Sequence, residues 1–260
     1  MLSASLNRLV RVLLAPTCAA CDTLLDHPLL SPICNACWRA IHAIRAPSCA
    51  RCGDALPGWL DELSLCGRCE QTPPHFSIAR SVGHYDDALR EIVQAFKYGG
   101  RRVLAAPLAA MMREHGRNVL TGADAVVPVP LHPWRTLRRG FNQADDLALH
   151  LGLPVWRALR RARQGPPQAS LPAAHRHANV RDAFRLARRV AAPGWRRRLA
   201  GRTVVLVDDV MTTGATLDAC AQVLSDAGAR DVRALTVARA VVAPHERPLR
   251  PRRLSTAPRR

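Results

Sequence analysis

The chain has 260 residues and a formal net charge of +18, set by 38 basic and 20 acidic side chains. That length accommodates one full core and a smaller module. The charge comes almost wholly from arginine, with Lys97 the sole lysine; it points to an anionic partner without choosing between nucleic acid, a membrane surface and a small phosphate.

The first stretch, MLSASLNRLVRVLLAPTC, interrupts its apolar run with Arg8 and Arg11, too early for a secretory core. Leu6, Leu9, Val10, Leu13 and Leu14 instead fall on one stripe of a short amphipathic helix, expected to pack on its own domain. No run is long enough to cross a bilayer, so the expected setting is the reducing cytoplasm.

Four pairs of identical spacing follow: Cys18 and Cys21, Cys34 and Cys37, Cys49 and Cys52, Cys66 and Cys69. Two intervening residues let both sulfurs of a tight turn face one ion, and two such turns complete a closed tetrahedral zinc site. Eight ligands therefore predict two structural Zn2+ sites, whose thiolates would bring the net charge to about +14. Pairing in sequence order is favoured because the two halves read as a repeat; a cross-braced pairing uses the same residues. Trp38, Leu56, Leu60 and Leu65 offer so little apolar cover that metal is expected to supply most of the local folding free energy, of the order of 10 kcal/mol per site. Cys220 stands apart, on a helical face with Leu217, Ala221 and Leu224, and reads as a small buried hydrophobe.

Beyond TPPHF, strands and helices alternate. SIARSVGHY reads as a strand and DDALREIVQAFKY as a helix. VLAAPLAAMMREHG reads as a helix broken early by Pro107, and ADAVVPVP as a strand ended by prolines. FNQADDLALHLG is helical; TVVLVDD, ATLDACAQVLSDAG and DVRALTVARAV form a strand, helix, strand unit. The expected fold class is α/β, a mostly parallel sheet preceded by a small zinc-ribbon module. The expected division is 1–72 for the helix and ribbons, 73–242 for the larger domain and 243–260 for a basic disordered tail. VAAPGWRRRLAG reads as a linker.

Ligands of such sheets bind at the carboxyl ends of the strands. There the strand Thr203 to Val207 delivers Asp208 and Asp209, and the chain turns through Met211, Thr212, Thr213 and Gly214 into a helix opened by Ala215 and Thr216. Backbone N–H groups at a helix start, with hydroxyls beside them, cradle a phosphate, and Gly214 permits close approach. Two acids accepting from vicinal hydroxyls fit the ribose that carries that phosphate.

At these residues the sequence resembles the type I phosphoribosyltransferases. With VVPVPLHPWRTLRRGFNQADDLA and RARQGPPQASLPAAHRHANVRDAF it is similar to the ComF-type competence proteins, which pair such a domain with a double zinc ribbon. The resemblance implies binding of 5-phosphoribosyl 1-pyrophosphate (PRPP) with Mg2+. Asp208 and Asp209 would hold the ribose, Met211 to Thr216 the 5'-phosphate, and Pro128, Val129, Pro130 and Leu131 the loop beside the pyrophosphate. Arg138, Arg139, Asn142 and Gln143 would line the cleft, and Lys97 would act catalytically with the two acids by neutralising pyrophosphate. Gln168, Arg176 and Asn179 would belong to a covering loop. The implied activity is phosphoribosyl transfer in a protein connected with DNA uptake and its competence machinery. The alternative is a non-enzymatic module that senses nucleotides or handles single-stranded DNA, with Trp134 and Trp195 beside Arg135 and Arg196 to Arg198 as sparse stacking candidates.

Overall fold

The computed structural model describes residues 7, 9–10, 12–61, 63–98, 100–162, 183–187 and 192–240. Its centre is a four-stranded, all-parallel sheet in the order β1-β6-β5-β2, made of β1 (Ala79–His84), β2 (Ala125–Pro128), β5 (Thr203–Met211) and β6 (Asp231–Arg239). β3 (Leu159–Arg161) and β4 (Phe184–Leu186) form a separate antiparallel pair. After a first, N-terminal helical stretch that includes residues 12–14, the α-helices among the described residues are α1 (Asn35–Arg39), α2 (Gly67–Gln71), α3 (Asp87–Tyr98), α4 (Ala105–His115), α5 (Arg117–Leu120), α6 (Pro133–Arg139), α7 (Gln143–Leu149), α8 (Ala192–Leu199) and α9 (Ala215–Asp226).

Strand periodicity divides the core in two. Val205 and Val207 of β5 enter one apolar layer with Leu108 of α4 and Leu147 of α7, while Val204 and Leu206 enter the opposite layer with Leu217 and Leu224 of α9. Successive side chains of a strand point to opposite faces, and a parallel strand covered on both sides therefore reads as a continuous apolar run. α3 buries Leu89, Ile92, Val93 and Phe96, the spacing of one helical face.

Four expectations change. β5 does not stop at Val207 but continues to Met211, because β6 offers pairing partners as far as Arg239. Pro107 does not break α4: it lies in the first turn, where the ring's missing N–H removes no intrahelical bond. The stretch read as a linker contains α8, anchored by buried Trp195 and Leu199. Leu9, Leu13 and Leu14 of the first helix are exposed rather than packed, while Asn7 is buried and accepts the Leu29 N–H at 3.1 Å. Pro128 ends β2 without penalty, since β2 is the outermost strand of the sheet. The proposed tail and Gln168, Arg176 and Asn179 lie outside the described residues.

The cysteine-rich segment wraps the β1 edge. Ala43 bridges Gly83 in antiparallel fashion, and the His84 N–H donates to the His42 carbonyl at 2.9 Å. A Cβ at Gly83 would stand 2.7 Å from that carbonyl, so only glycine admits the crossing chain. Cys18 belongs to the same layer as α3 and α4, whereas Cys49, Cys52 and Cys69 belong to the layer of α9. The two halves of the segment thus clasp opposite faces of one sheet.

Candidate functional site

At the carboxyl ends of the strands a cleft of about 360 Å³ opens between the loops after β2, β5 and β6. β5 supplies Asp208 and Asp209, the turn after it Thr212, the first turn of α9 Thr216, the loop after β2 Val129, Pro130 and Leu131, α3 Lys97, and α6 Arg139. Tyr85 and Arg161, which sequence reasoning missed, also line it. Lys97 binds Asp209 at 2.9 Å, both side chains being largely buried, and its ammonium lies 5.9 Å from the Tyr85 ring centre. The sole lysine of the chain thus neutralises one acid of the pair.

Asp208 is set differently. Its Oδ1 accepts the Asp209 N–H at 2.8 Å. The residue keeps some surface, yet its carboxyl is enclosed by protein at the cleft floor. Burial, reinforced by the neighbouring Asp209 charge, pushes its pKa up to about 7, against the smaller opposing pull of the backbone N–H, Lys97 and Arg139. One acid is ion-paired with Lys97; the other has its pKa raised by burial to about 7.

Arg139 is held in the cleft by its neighbours. Its Nη1 donates to Gln143 Oε1 at 3.0 Å, its Nη2 to the Tyr98 hydroxyl at 2.9 Å, and the guanidinium stacks on Tyr98 at 4.8 Å. Gln143 is buried beneath it and therefore acts through Arg139. Asn142 caps α7 by accepting the Ala144 N–H at 3.2 Å and donates from Nδ2 to the Val129 carbonyl at 3.1 Å, which ties the loop after β2 to the helix. Pro128 is buried within β2, and Arg138 points to solvent.

The turn divides its residues between two cavities. Thr212 and Thr216 face the cleft, while Met211, Thr213, Gly214 and Ala215 line a second hollow of about 380 Å³ against Cys52, Arg68 and Cys69. Gly214 precedes α9 with φ +82°, a left-handed conformation that favours glycine, and this reversal sends adjacent residues to opposite sides.

The cysteines gather in sequence order. Cys18, Cys21, Cys34 and Cys37 form one cluster and Cys49, Cys52, Cys66 and Cys69 another, with all sulfurs of each within 4.8 Å of one another. Separations of 3.9 Å for Cys18 to Cys37, and of 3.7 Å for Cys21 to Cys34 and Cys52 to Cys66, match the roughly 3.8 Å edge of a tetrahedron built on 2.3 Å Zn–S bonds. Backbone N–H groups of Ala20 and Cys34 point at Cys18 Sγ, and those of Cys52 and Cys66 at Cys49 Sγ; donors so placed stabilise thiolates. The clusters are closed, four-sulfur zinc sites with a structural role.

A parallel sheet with an acid pair and a hydroxyl-rich turn at its carboxyl edge, joined to two zinc ribbons, defines a phosphoribosyltransferase-type protein with an added metal module. Residues 9–70 match the double zinc ribbon domain and residues 136–254 the phosphoribosyl transferase domain. Competence protein F of Haemophilus influenzae is 32% identical over 224 residues, covering 82% of this chain and 93% of that protein. DNA utilization protein YhgH of Salmonella typhi is 36% identical over 212 residues, 77% of this chain and 87% of that protein. Competence protein ComFC of Streptococcus pneumoniae is 26% identical over 160 residues, 62% of this chain and 67% of that protein. The chain belongs to the ComF family of competence and DNA utilization proteins.

Proposed function

We propose that the cleft binds PRPP together with Mg2+ and that the protein transfers the phosphoribosyl group to an acceptor. The convergence of Asp208, Asp209, Thr212, Thr216, Arg139 and Lys97 on one cleft carries this reading. Asp208 and Asp209 accept from the ribose hydroxyls, Thr212 and Thr216 donate to the 5'-phosphate, and Arg139 and Lys97 face the pyrophosphate. Oxygen donors from Asp208 and the ligand itself suit a hard cation; bound Mg2+ would offset charge on the departing pyrophosphate. Catalysis on this reading is positioning plus electrostatic stabilisation of a cationic sugar and an anionic leaving group. Among the described residues no helix is long and apolar enough to cross a membrane; the proposed setting is the cytoplasm.

PRPP with Mg2+ is expected to raise the melting temperature, and Asp208→Ala combined with Asp209→Ala to abolish the shift; an unshifted native protein would refute the reading. The pH dependence is also specified. Ionised Asp208 is the stronger acceptor from a hydroxyl and the better ligand for Mg2+, so affinity measured by titration calorimetry should fall by up to about tenfold from pH 8 to pH 6, across a pKa of about 7. Stability of the free protein moves the other way: a raised carboxyl pKa contributes stability at low pH that is lost as pH rises from the usual carboxylate value of 3.8 towards about 7.

A second role in handling single-stranded DNA is favoured by the names of the relatives and by the net charge of +18. Trp134 is 71% exposed and available for stacking, whereas Trp195 is 5% exposed, packed against Trp156, with Arg198 over both rings. Binding should weaken steeply with salt, and an affinity unaffected by salt would remove this role.

A further inference from the structure

Arg239 ends β6 and is 2% exposed. Its Nη1 donates to the Cys52 carbonyl at 2.7 Å and to Met211 Sδ at 3.3 Å, its Nε to Asp54 Oδ1 at 2.9 Å, and its Nη2 to Cys52 Sγ at 3.6 Å. Cys52 is a ligand of the second zinc cluster. Met211 pairs with Arg239 across the β5–β6 ladder and directly precedes Thr212 of the cleft. The Met211 methyl lies 2.7 Å from where a Cβ on Gly214 would stand, so it is wedged under the glycine of the phosphate turn. Ala240, the next residue, lines the cleft and donates its N–H to the Met211 carbonyl at 2.9 Å. One planar guanidinium therefore touches a metal ligand on one side and the support of the turn on the other, and its rigid fork fixes both at once.

We propose that Arg239 is a positioning residue that couples the second zinc cluster to the turn Thr212 to Thr216, so that metal at the cluster and a phosphorylated sugar in the cleft favour each other. The coupling rests on the reading that the cleft binds a phosphoribosyl ligand. Cluster occupancy places Cys52, Cys52 places Arg239, and Arg239 holds Met211 at the height that sets Thr212 into the cleft. Linkage is reciprocal: a ligand that orders the turn must also raise the cluster's affinity for its metal, and this is expected to appear as slower release.

The test uses the native zinc-loaded chain and ribose 5-phosphate, which carries the diol and the phosphate and needs no Mg2+. Zinc release is followed with a chromogenic chelator after addition of a mercurial, and the phases are assigned with Cys21→Ser, which disables the first cluster. Saturating ribose 5-phosphate is expected to slow release from the second cluster about fivefold or more and to leave the first cluster unchanged. Arg239→Lys, which keeps the charge but lacks the fork, is expected to bind ribose 5-phosphate about tenfold more weakly by calorimetry at unchanged zinc content, and to lose the protection. Ribose 5-phosphate that binds the native protein without altering release would overturn the coupling and spare the cleft. Absence of binding to the native protein removes the cleft reading and the coupling together. Should Arg239→Lys not fold, the native release measurement decides alone.

Discussion

The two cysteine clusters are alike in spacing and unlike in setting. In the first, Cys21 is exposed, and the surface around it includes Leu24, Leu29 and Leu30, all exposed. In the second, Cys49, Cys52 and Cys69 are buried in the layer that also holds Phe76, Ala79 and Leu217, and two guanidinium groups, Arg68 and Arg239, reach the Cys52 sulfur. A four-thiolate zinc site carries two negative charges; in the second cluster buried Arg239 and surface Arg68 face that charge, and both also contact Asp54. The first cluster thus enters one apolar layer through Cys18 alone among its fully buried cysteines and leaves Cys21 exposed, whereas the second buries three of its four cysteines in the opposite layer.

The largest expected difference follows from that. Cys52→Ser should lower the melting temperature by about 10 °C or more, since it removes a metal ligand and leaves Arg239 with a weakened partner. Cys21→Ser should cost clearly less. Equal losses in thermal melts, at matched zinc content of the remaining site, would break the comparison. A smaller effect tests the seam between the second ribbon and the sheet. Gly53 has φ +68°, and a Cβ there would stand 2.7 Å from the Ala79 carbonyl; Gly53→Ala should therefore destabilise by about 2 kcal/mol in denaturant unfolding. The smallest effect is expected on the outer cluster, where Leu30 is 76% exposed. Leu30→Ser should change stability by no more than about 0.5 kcal/mol in the same measurement; a larger loss would mean that this surface is packed in solution.

Much of this was legible because the signals are local. Cysteine spacing encodes turns that need nothing from the rest of the chain, and the run from Thr203 to Val207 followed by two acids and a threonine-rich turn places its own strand edge. The facing of the turn was not legible. Thr212 and Thr216 reach the cleft while Thr213 and Ala215 do not, because the left-handed Gly214 reverses the chain between them. The end of β5 was misjudged because pairing depends on β6, a partner two elements away. Arg239 was hidden among many arginines; its one signal was a charge closing the continuous apolar run ALTVA. The exposed stripe of the first helix shows the opposite limit, since periodicity reveals a face but not what covers it.

The segment crossing between the clusters, paired to β1 through Ala43 and His42, occupies hydrogen-bonding positions that would otherwise be an open strand edge. Bare edges invite pairing with other chains. Excising the metal module at the proposed 72/73 boundary would therefore uncover a sticky border as well as two apolar faces, and the remaining piece is expected to self-associate rather than behave as a free-standing domain.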